Sequence, residues 1–180
     1  MTPGDRRAVA LKTPLTREGV LALRAGDTVS LTGVVYTARD AAHQRLAALI
    51  EAGEPLPLEL EGQVIYYCGP TPAPPGRPIG SAGPTTSSRM DAYAPLLHAR
   101  GVRATIGKGP RSEAVRQALV EQGAVYLVAV GGAGALLAQR IVACEMVAFA
   151  DLDAEAIRRL TVEDFPCIVG YDAHGGSAFA

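Results

Sequence analysis

The hydrophobic pattern of the chain switches repeatedly between the two-residue spacing of strands and the spacing of helices. Val29 and Leu31 alternate with polar neighbours, and residues 64–67 form a short apolar run typical of a buried strand. Helical spacing starts at Asp40, which we expect to be the N-cap of a helix that ends before Gly53. This alternation predicts the α/β fold class, in which crossover helices connect the strands of a sheet.

Further elements continue this pattern on both sides. Strands are predicted near residue 9 and at 102–106, 125–130, 146–149 and 167–170. Helices are predicted at 17–23 with Thr16 as the cap, at 112–122, at 135–143 and, with acidic character, around 157–160. Residues 85–88 can cap one more helix, and Pro95 either kinks that helix or starts a second one. In such sheets ligands bind at the carboxyl ends of the strands.

The stretch at residues 69–84, GPTPAPPGRPIGSAGP, shows no buried face. Its proline and glycine content is compatible with a flexible low-complexity linker. The alternative is an ordered loop that carries a site. We favour the ordered loop because predicted elements flank the stretch closely on both sides.

Length and composition favour one domain over residues 1–180. The chain is 48% hydrophobic, enough for one sizeable core, and its formal net charge is −1. We therefore expect neither nucleic acid nor a membrane as a partner, and any anion site must be local. The first residues lack the apolar stretch of a secretory signal, so the cytoplasm is the expected location. Cys68, Cys144 and Cys167 form no CxxC pair, so we expect buried thiols and no metal site.

Cationic and hydroxyl side chains gather at the predicted turns. Thr85 and Thr86 stand at a predicted helix start, and Arg89 follows within one turn, so the three side chains can face one ligand. Lys108 lies between two glycines after a predicted strand, and Arg39 immediately precedes a predicted helix. Ordinary alternatives exist, namely a helix cap for the threonines and solvated side chains for the cations. Three cations from three separate turns are what a dicarboxylate requires.

Three motifs, taken in order, carry a resemblance to a known family. Residues 66–93 read YYCGPTPAPPGRPIGSAGPTTSSRMDAY, followed by IGKG at 106–109 and GGAGALLAQRI at 131–141. This combination resembles the β portion of class I fumarases and L-tartrate dehydratases, from about Val29 to Gly176. The resemblance implies a single swivelling β/β/α domain, which in two-subunit members is a separate chain beside a larger alpha subunit. That alpha subunit carries a [4Fe-4S] cluster on three cysteines.

The resemblance also implies roles for individual residues. The motif TARDAAH places Arg39 as a ligand of a substrate carboxylate, RMD places Arg89 on a carboxylate, and IGKG does the same for Lys108. The motif GPTT places Thr85 and Thr86 in the active site, with Thr85 as the candidate catalytic base.

The chemistry implied by the resemblance fits these residues. Removing water from malate requires a Lewis acid for the leaving hydroxyl, a base for a carbon-bound proton, and cations for the charge that develops on the carboxylate. This chain offers the last two and lacks the first. We therefore expect a partner alpha subunit that holds the [4Fe-4S] cluster, with no cofactor bound by this chain alone. The expected function is the beta subunit of a fumarate hydratase.

Two alternatives stay open. The beta subunit of an L-tartrate dehydratase would use the same mechanism, since both substrates present two carboxylates to the same cations. A dicarboxylate-binding module that works without a cluster would use the same cationic pocket for sensing or transport. The expected assembly is a hetero-oligomer, with a homodimer as the alternative for the isolated chain.

Overall fold

Seven strands form one mixed sheet in the computed structural model, which describes residues 8–129 and 133–179. The strands are β1 (Val9–Lys12), β2 (Thr28–Thr37), β3 (Val64–Tyr66), β4 (Ala104–Gly107), β5 (Val125–Val128), β6 (Ile141–Ala148) and β7 (Ile157–Tyr171). Their order is β1-β2-β3-β4-β5-β7-β6, and an additional pairing of β2 with β7 closes β2, β3, β4, β5 and β7 into a barrel. The predicted α/β class is confirmed.

The strands β2, β3, β4 and β5 run parallel to one another, and β7 is antiparallel to β2 and β5. Four parallel strands therefore end at the same end of the barrel, where the loops that follow them meet. The barrel interior is filled by apolar side chains from these strands, among them Val35, Tyr66, Ile106, Leu127 and Phe165. Burial of this apolar surface is the main term that stabilises the barrel.

The helices cover the outside of the barrel. They are α1 (Arg17–Leu21), α2 (Asp40–Glu51), α3 (Ala94–Ala99), α4 (Glu113–Gln122) and α5 (Gly134–Ala138), with 3₁₀ helices at Ser87–Met90 and Ala150–Glu155. Thr16 caps α1 by accepting the Gly19 N–H at 3.0 Å, as its sequence predicted. Residue Arg39, one position earlier than expected, occupies the N-cap of α2. Among the described residues, no helix is both long and apolar enough to span a membrane.

Between residues 139 and 171 the predicted strands at 146–149 and 167–170 overlap β6 and β7, but two predicted helices were wrong. The helix expected at 135–143 ends at Ala138, and the acidic helix expected at 157–160 is the start of β7. Ile157 and Leu160 are both buried, and their spacing of three residues imitates a helix. They lie on opposite faces of β7: Leu160 packs inside the barrel and Ile157 packs in the cluster beside α2. A strand that is buried on both faces does not show the alternation of apolar and polar residues by which a strand is recognised in a sequence.

Candidate active site at the carboxyl end of the barrel

The residues that follow the parallel strands come to one level of the barrel. Thr37 of β2 pairs with Tyr66 of β3, which in turn pairs with Ile106 of β4. Arg39 and Lys108 each lie two residues beyond these paired positions. The register therefore brings two of the candidate carboxylate ligands to the same end of the barrel from separate strands.

The loop at 69–84 is ordered, so the flexible linker is excluded. The Thr71 N–H donates to the Ser81 carbonyl at 3.0 Å, and the Ser81 N–H donates to Thr71 Oγ1 at 2.7 Å, which ties the two arms of the loop together. The Tyr66 hydroxyl donates to the Ala82 carbonyl, and the Ala82 N–H donates to Gly134 at the start of α5. These bonds return the chain to the barrel end in a defined position.

The segment that contains Thr85 and Thr86 lies along the ends of β3 and β4. The Thr85 N–H donates to the Tyr67 carbonyl at 2.7 Å. Thr86 forms a parallel bridge with Lys108, and the Ser87 N–H donates to the Lys108 carbonyl at 2.9 Å. The structure therefore places Thr86 directly beside Lys108 and Thr85 against the end of β3.

The helix expected to start at Thr85 and Thr86 is wrong. Ser87–Met90 is a single 3₁₀ turn, and Thr86 at its N-cap position makes no side-chain capping bond. Thr86 has a ψ of 118° and pairs with Lys108, so a helix does not include it. The next helix begins at Ala94 with Pro95 in its first turn, which confirms the alternative in which Pro95 starts a second helix. Thr85 and Thr86 therefore do not stand at the start of an α-helix, and its free amides are not available beside them.

Each arginine of the site lies near a carboxylate of the chain itself. The Arg39 guanidinium packs over Gly69, where an added Cβ would lie 2.8 Å from Nη1, and its Nε is 3.9 Å from Glu155 Oε1. Arg89, whose side chain is 53% exposed, donates from Nη2 to Asp40 Oδ2 at 2.6 Å. We refer to the five predicted site residues together as the cationic edge: Arg39, Thr85, Thr86, Arg89 and Lys108.

Beneath the cationic edge lies a group of buried polar side chains that the sequence reasoning missed. We call this group the buried layer: His43, Tyr67, His98, Arg111 and Tyr126. Arg111 is at its centre and pairs with Asp91 at 2.7 Å. Asp91 and Arg111 are 20 residues apart, so no local spacing links them. The one available signal was the position of Asp91 within the RMD motif.

The two histidines of the buried layer are neutral packing residues. The His43 ring lies 2.7 Å from the Arg39 carbonyl, and the His98 ring 2.8 Å from the Val102 carbonyl, each through Nδ1. Because a carbonyl can only accept, each Nδ1 carries the proton. Burial lowers the pKa of both imidazoles to about 4, and the charge of nearby Arg111 acts in the same direction.

The cysteines of the chain do not fit an iron–sulfur cluster. Burial raises the pKa of Cys68 and of Cys167 to about 12, whereas cluster ligation requires thiolates. Cys144 lies on β6 and is half-buried. In the part of the chain that the structure describes, no three His, Cys, Asp or Glu side chains converge as metal ligands.

Comparison with known sequences gives a consistent result. The family model described as Fumarase C-terminus matches residues 2–180. A protein of Escherichia coli (strain K12) named "Fumarate hydratase class I, anaerobic" is 43% identical over 84% of this chain and 28% of its own length. A protein of Leishmania major named "Fumarate hydratase 1, mitochondrial" is 40% identical over the same shares, 84% and 28%.

A third relative differs in length. The Methanocaldococcus jannaschii protein named "Putative L(+)-tartrate dehydratase subunit beta" is 37% identical over 92% of this chain and 88% of its own length. The chain thus spans about a third or less of the fumarate hydratases it matches, but most of this subunit.

Proposed function

The chain belongs to the fumarase C-terminal family, and we propose that it is the beta subunit of a [4Fe-4S]-dependent hydro-lyase that reversibly hydrates fumarate to L-malate. One observation carries this proposal beyond family membership. Arg39, Arg89 and Lys108 come from three separate turns: Arg39 and Lys108 follow strands that end at one level of the barrel, where Thr86 pairs with Lys108, and Arg89 pairs with Asp40, the residue after Arg39. A dicarboxylate has two charged ends, and cations on separate turns can bind both.

Each residue of the cationic edge has a role in this proposal. Arg39, Arg89 and Lys108 bind the substrate carboxylates, and the guanidinium groups offer paired donors that match a carboxylate. Thr86 contributes to substrate binding through its hydroxyl. Thr85 also binds substrate and is the candidate base for the carbon-bound proton. A threonine hydroxyl needs an activating neighbour to remove a proton, and we assign that neighbour to the partner subunit.

The exposure of the cationic edge supports a partner that covers it. Arg89, Thr86 and Lys108 are exposed, whereas electrostatic stabilisation of a reaction is strongest where water is excluded. The fumarate hydratases that resemble this chain are about three times its length, and the tartrate dehydratase relative is named a subunit. We assign both the cover and the [4Fe-4S] cluster to an alpha subunit.

A second candidate function is the beta subunit of an L-tartrate dehydratase. The observation that favours it is the relative that this chain covers to 88%, which carries that name. Tartrate also presents two carboxylates, so the cationic edge suits both substrates equally.

Assay of the assembled pair tests the proposal. The chain is produced alone and with a cluster-bearing alpha subunit, reconstituted anaerobically, and assayed with fumarate, L-malate and both tartrates. We expect no bound iron and no hydration by the isolated chain, and turnover of fumarate by the pair. Turnover of L-tartrate alone would establish the second candidate. A stoichiometric cluster with turnover in the isolated chain would disprove the proposed division of labour, and dicarboxylate binding without turnover by the pair would favour a binding module.

A further inference from the structure

Arg111, buried beneath the site, contacts side chains that lead to the turns of Thr85, Arg89 and Lys108. We infer that Arg111 is a positioning residue, which sets the relative placement of Thr85, Arg89 and Lys108 without touching the substrate. This inference rests on the proposed function, because it assigns Arg111 a purpose in dicarboxylate binding.

The guanidinium of Arg111 is fully enclosed and uses all three of its nitrogens. Nε donates to Asp91 Oδ1 at 2.7 Å, Nη1 to Thr105 Oγ1 at 3.2 Å, and Nη2 to the Tyr67 hydroxyl at 3.1 Å. The Arg111 side chain has no exposed surface. Its guanidinium carbon lies 5.1 Å from the ring centre of Tyr67 and 4.9 Å from that of Tyr126, so the guanidinium makes a cation–π contact with each ring. The orientation of this planar group is therefore fixed.

Three of the side chains that contact the Arg111 guanidinium lead to the turns of the cationic edge. Asp91 follows the 3₁₀ helix that carries Arg89, and the Tyr67 carbonyl accepts the Thr85 N–H. The Tyr126 hydroxyl lies 2.8 Å from the Gly109 carbonyl, next to Lys108. Two segments distant in sequence, the one that carries Thr85 and Arg89 and the one that carries Lys108, are thus connected through one guanidinium group.

The segment around Ser87 is packed against the same group. Ser87 Oγ is 2.8 Å from the Tyr126 hydroxyl, and a Cβ added at Gly107 would collide with Ser87 Oγ. Because the Gly109 carbonyl can only accept, Tyr126 donates to it and Ser87 donates to Tyr126. The Ser87 N–H also donates to the Lys108 carbonyl at 2.9 Å, next to the bridge between Thr86 and Lys108. The connection leaves little room for independent movement of these turns.

Stability alone is a weak reason for such an arrangement. A buried ion pair is often no more stabilising than well-packed apolar side chains of similar volume, because both charges lose their hydration. The planar guanidinium of an arginine adds orientation, because each of its N–H donors points to one acceptor. A displacement of about 1 Å in a ligand group can cost about a hundredfold in rate.

Two tyrosine variants separate positioning from stability. Tyr67→Phe removes the hydroxyl that accepts from Nη2. Tyr171→Phe is the matched control: its hydroxyl accepts the backbone N–H of Arg111 at 3.3 Å, and its ring stacks on Tyr126 with centroids 5.7 Å apart. Both changes delete one buried phenol hydroxyl next to Arg111, but the Tyr171 hydroxyl bonds the Arg111 backbone N–H, whereas the Tyr67 hydroxyl bonds the guanidinium.

The variants are measured in the assembled complex by kcat, KM and thermal unfolding. We expect similar small decreases in Tm for both, a decrease of about tenfold in kcat/KM for Tyr67→Phe, and a change below about twofold for Tyr171→Phe. Arg111→Lys, which keeps the charge and loses the fork, should lower kcat/KM by about a hundredfold where it remains folded.

Equal effects of Tyr67→Phe and Tyr171→Phe on kcat/KM would overturn the inference, whether or not Arg111→Lys folds. A second readout does not depend on turnover. In the amide NMR spectrum of the chain, Tyr67→Phe should shift Thr85, Thr86 and Lys108, and Tyr171→Phe should leave them in place. A wild-type complex that turns over no dicarboxylate would contradict the proposed function, and the amide shifts would still decide whether Arg111 positions these turns.

Discussion

Arg89 and Arg111 each pair with an aspartate, at 2.6 Å and 2.7 Å, in opposite surroundings. The Arg89 side chain is 53% exposed on the cationic edge, and the Arg111 side chain has no exposed surface within the buried layer. An exposed ion pair contributes about 0–1 kcal/mol, whereas breaking a buried pair costs about 3–5 kcal/mol. Separating Arg89 from Asp40 should therefore cost little free energy, and separating Arg111 from Asp91 should cost much more.

The cationic edge and the buried layer, at the same end of the barrel, therefore have different roles. The cationic edge offers side chains that add little to folding and are available for ligand chemistry. The buried layer is charged or polar, enclosed, and coupled to the stability of the barrel. Changes at the edge should alter activity without stability, whereas changes in the layer should alter stability and, where they reach the guanidinium of Arg111, activity as well. The predictions below test this separation.

The largest expected effect is that of Thr85→Val on the assembled enzyme. Valine keeps the β-branched shape and removes the hydroxyl, and the Thr85 N–H can still donate to Tyr67. If the hydroxyl moves the proton, kcat should fall by about 10²- to 10⁴-fold while the affinity for a dicarboxylate inhibitor changes much less. Exchange of the substrate's carbon-bound proton with solvent deuterium measures the same step.

The matching control is thermal unfolding of the Thr85→Val chain. Its Tm should equal that of the wild type, because no hydrogen bond of the Thr85 hydroxyl occurs within the described residues. Undiminished deuterium exchange in the variant would remove Thr85 from the mechanism.

Acidification should produce the next largest effect, and it acts on the buried layer. Burial lowers the pKa of His43 and His98 from 6.5 to about 4, so the unfolded chain binds protons that the folded chain does not. Stability should therefore decrease as the pH falls from about 6.5 to about 4, by roughly 3 kcal/mol for each histidine. Urea unfolding at a series of pH values measures this slope.

His98→Gln supplies the control for the pH series. The amide keeps a donor for the Val102 carbonyl and does not titrate, so the pH dependence in this window should be reduced by about half. An unchanged slope in this variant would assign the acid sensitivity to other groups.

Arg89→Lys should have the smallest of the three effects. Lysine keeps the charge but cannot bind a carboxylate through two parallel bonds, so kcat/KM in the complex should fall by about ten- to a hundredfold. Arg45→Lys is the control, because Arg45 also pairs with an aspartate at the surface, donating to Asp151 at 2.8 Å, and lies outside the cationic edge. Equal activity of the two variants would mean that Arg89 is a solvated surface residue.

The sequence alone nominated the residues of the cationic edge but did not bring together those of the buried layer, for a physical reason. Residues of the cationic edge sit at turns after recognisable strands, so periodicity and local motifs were enough to nominate Arg39, Arg89 and Lys108. The buried layer depends on contacts between distant segments, such as that of Arg111 with Tyr67, and these have no local signature. The same limit applies to β7, whose two buried faces imitated a helix, and to Thr86, whose bridge to Lys108 overrode its capping preference.

The closure of the barrel by β7 bears on synthesis of the chain at the ribosome. Thr28 pairs with Ile168 and Tyr36 with Arg159, so one wall of the barrel joins an early segment to a late one. Contacts this distant along the chain form slowly, and none of them can form before the late segment has left the exit tunnel. A nascent chain that stops short of β7 would expose the apolar side chains meant for the barrel interior, including Val35 and Tyr66. Chaperone contact during translation should therefore persist until β7 emerges.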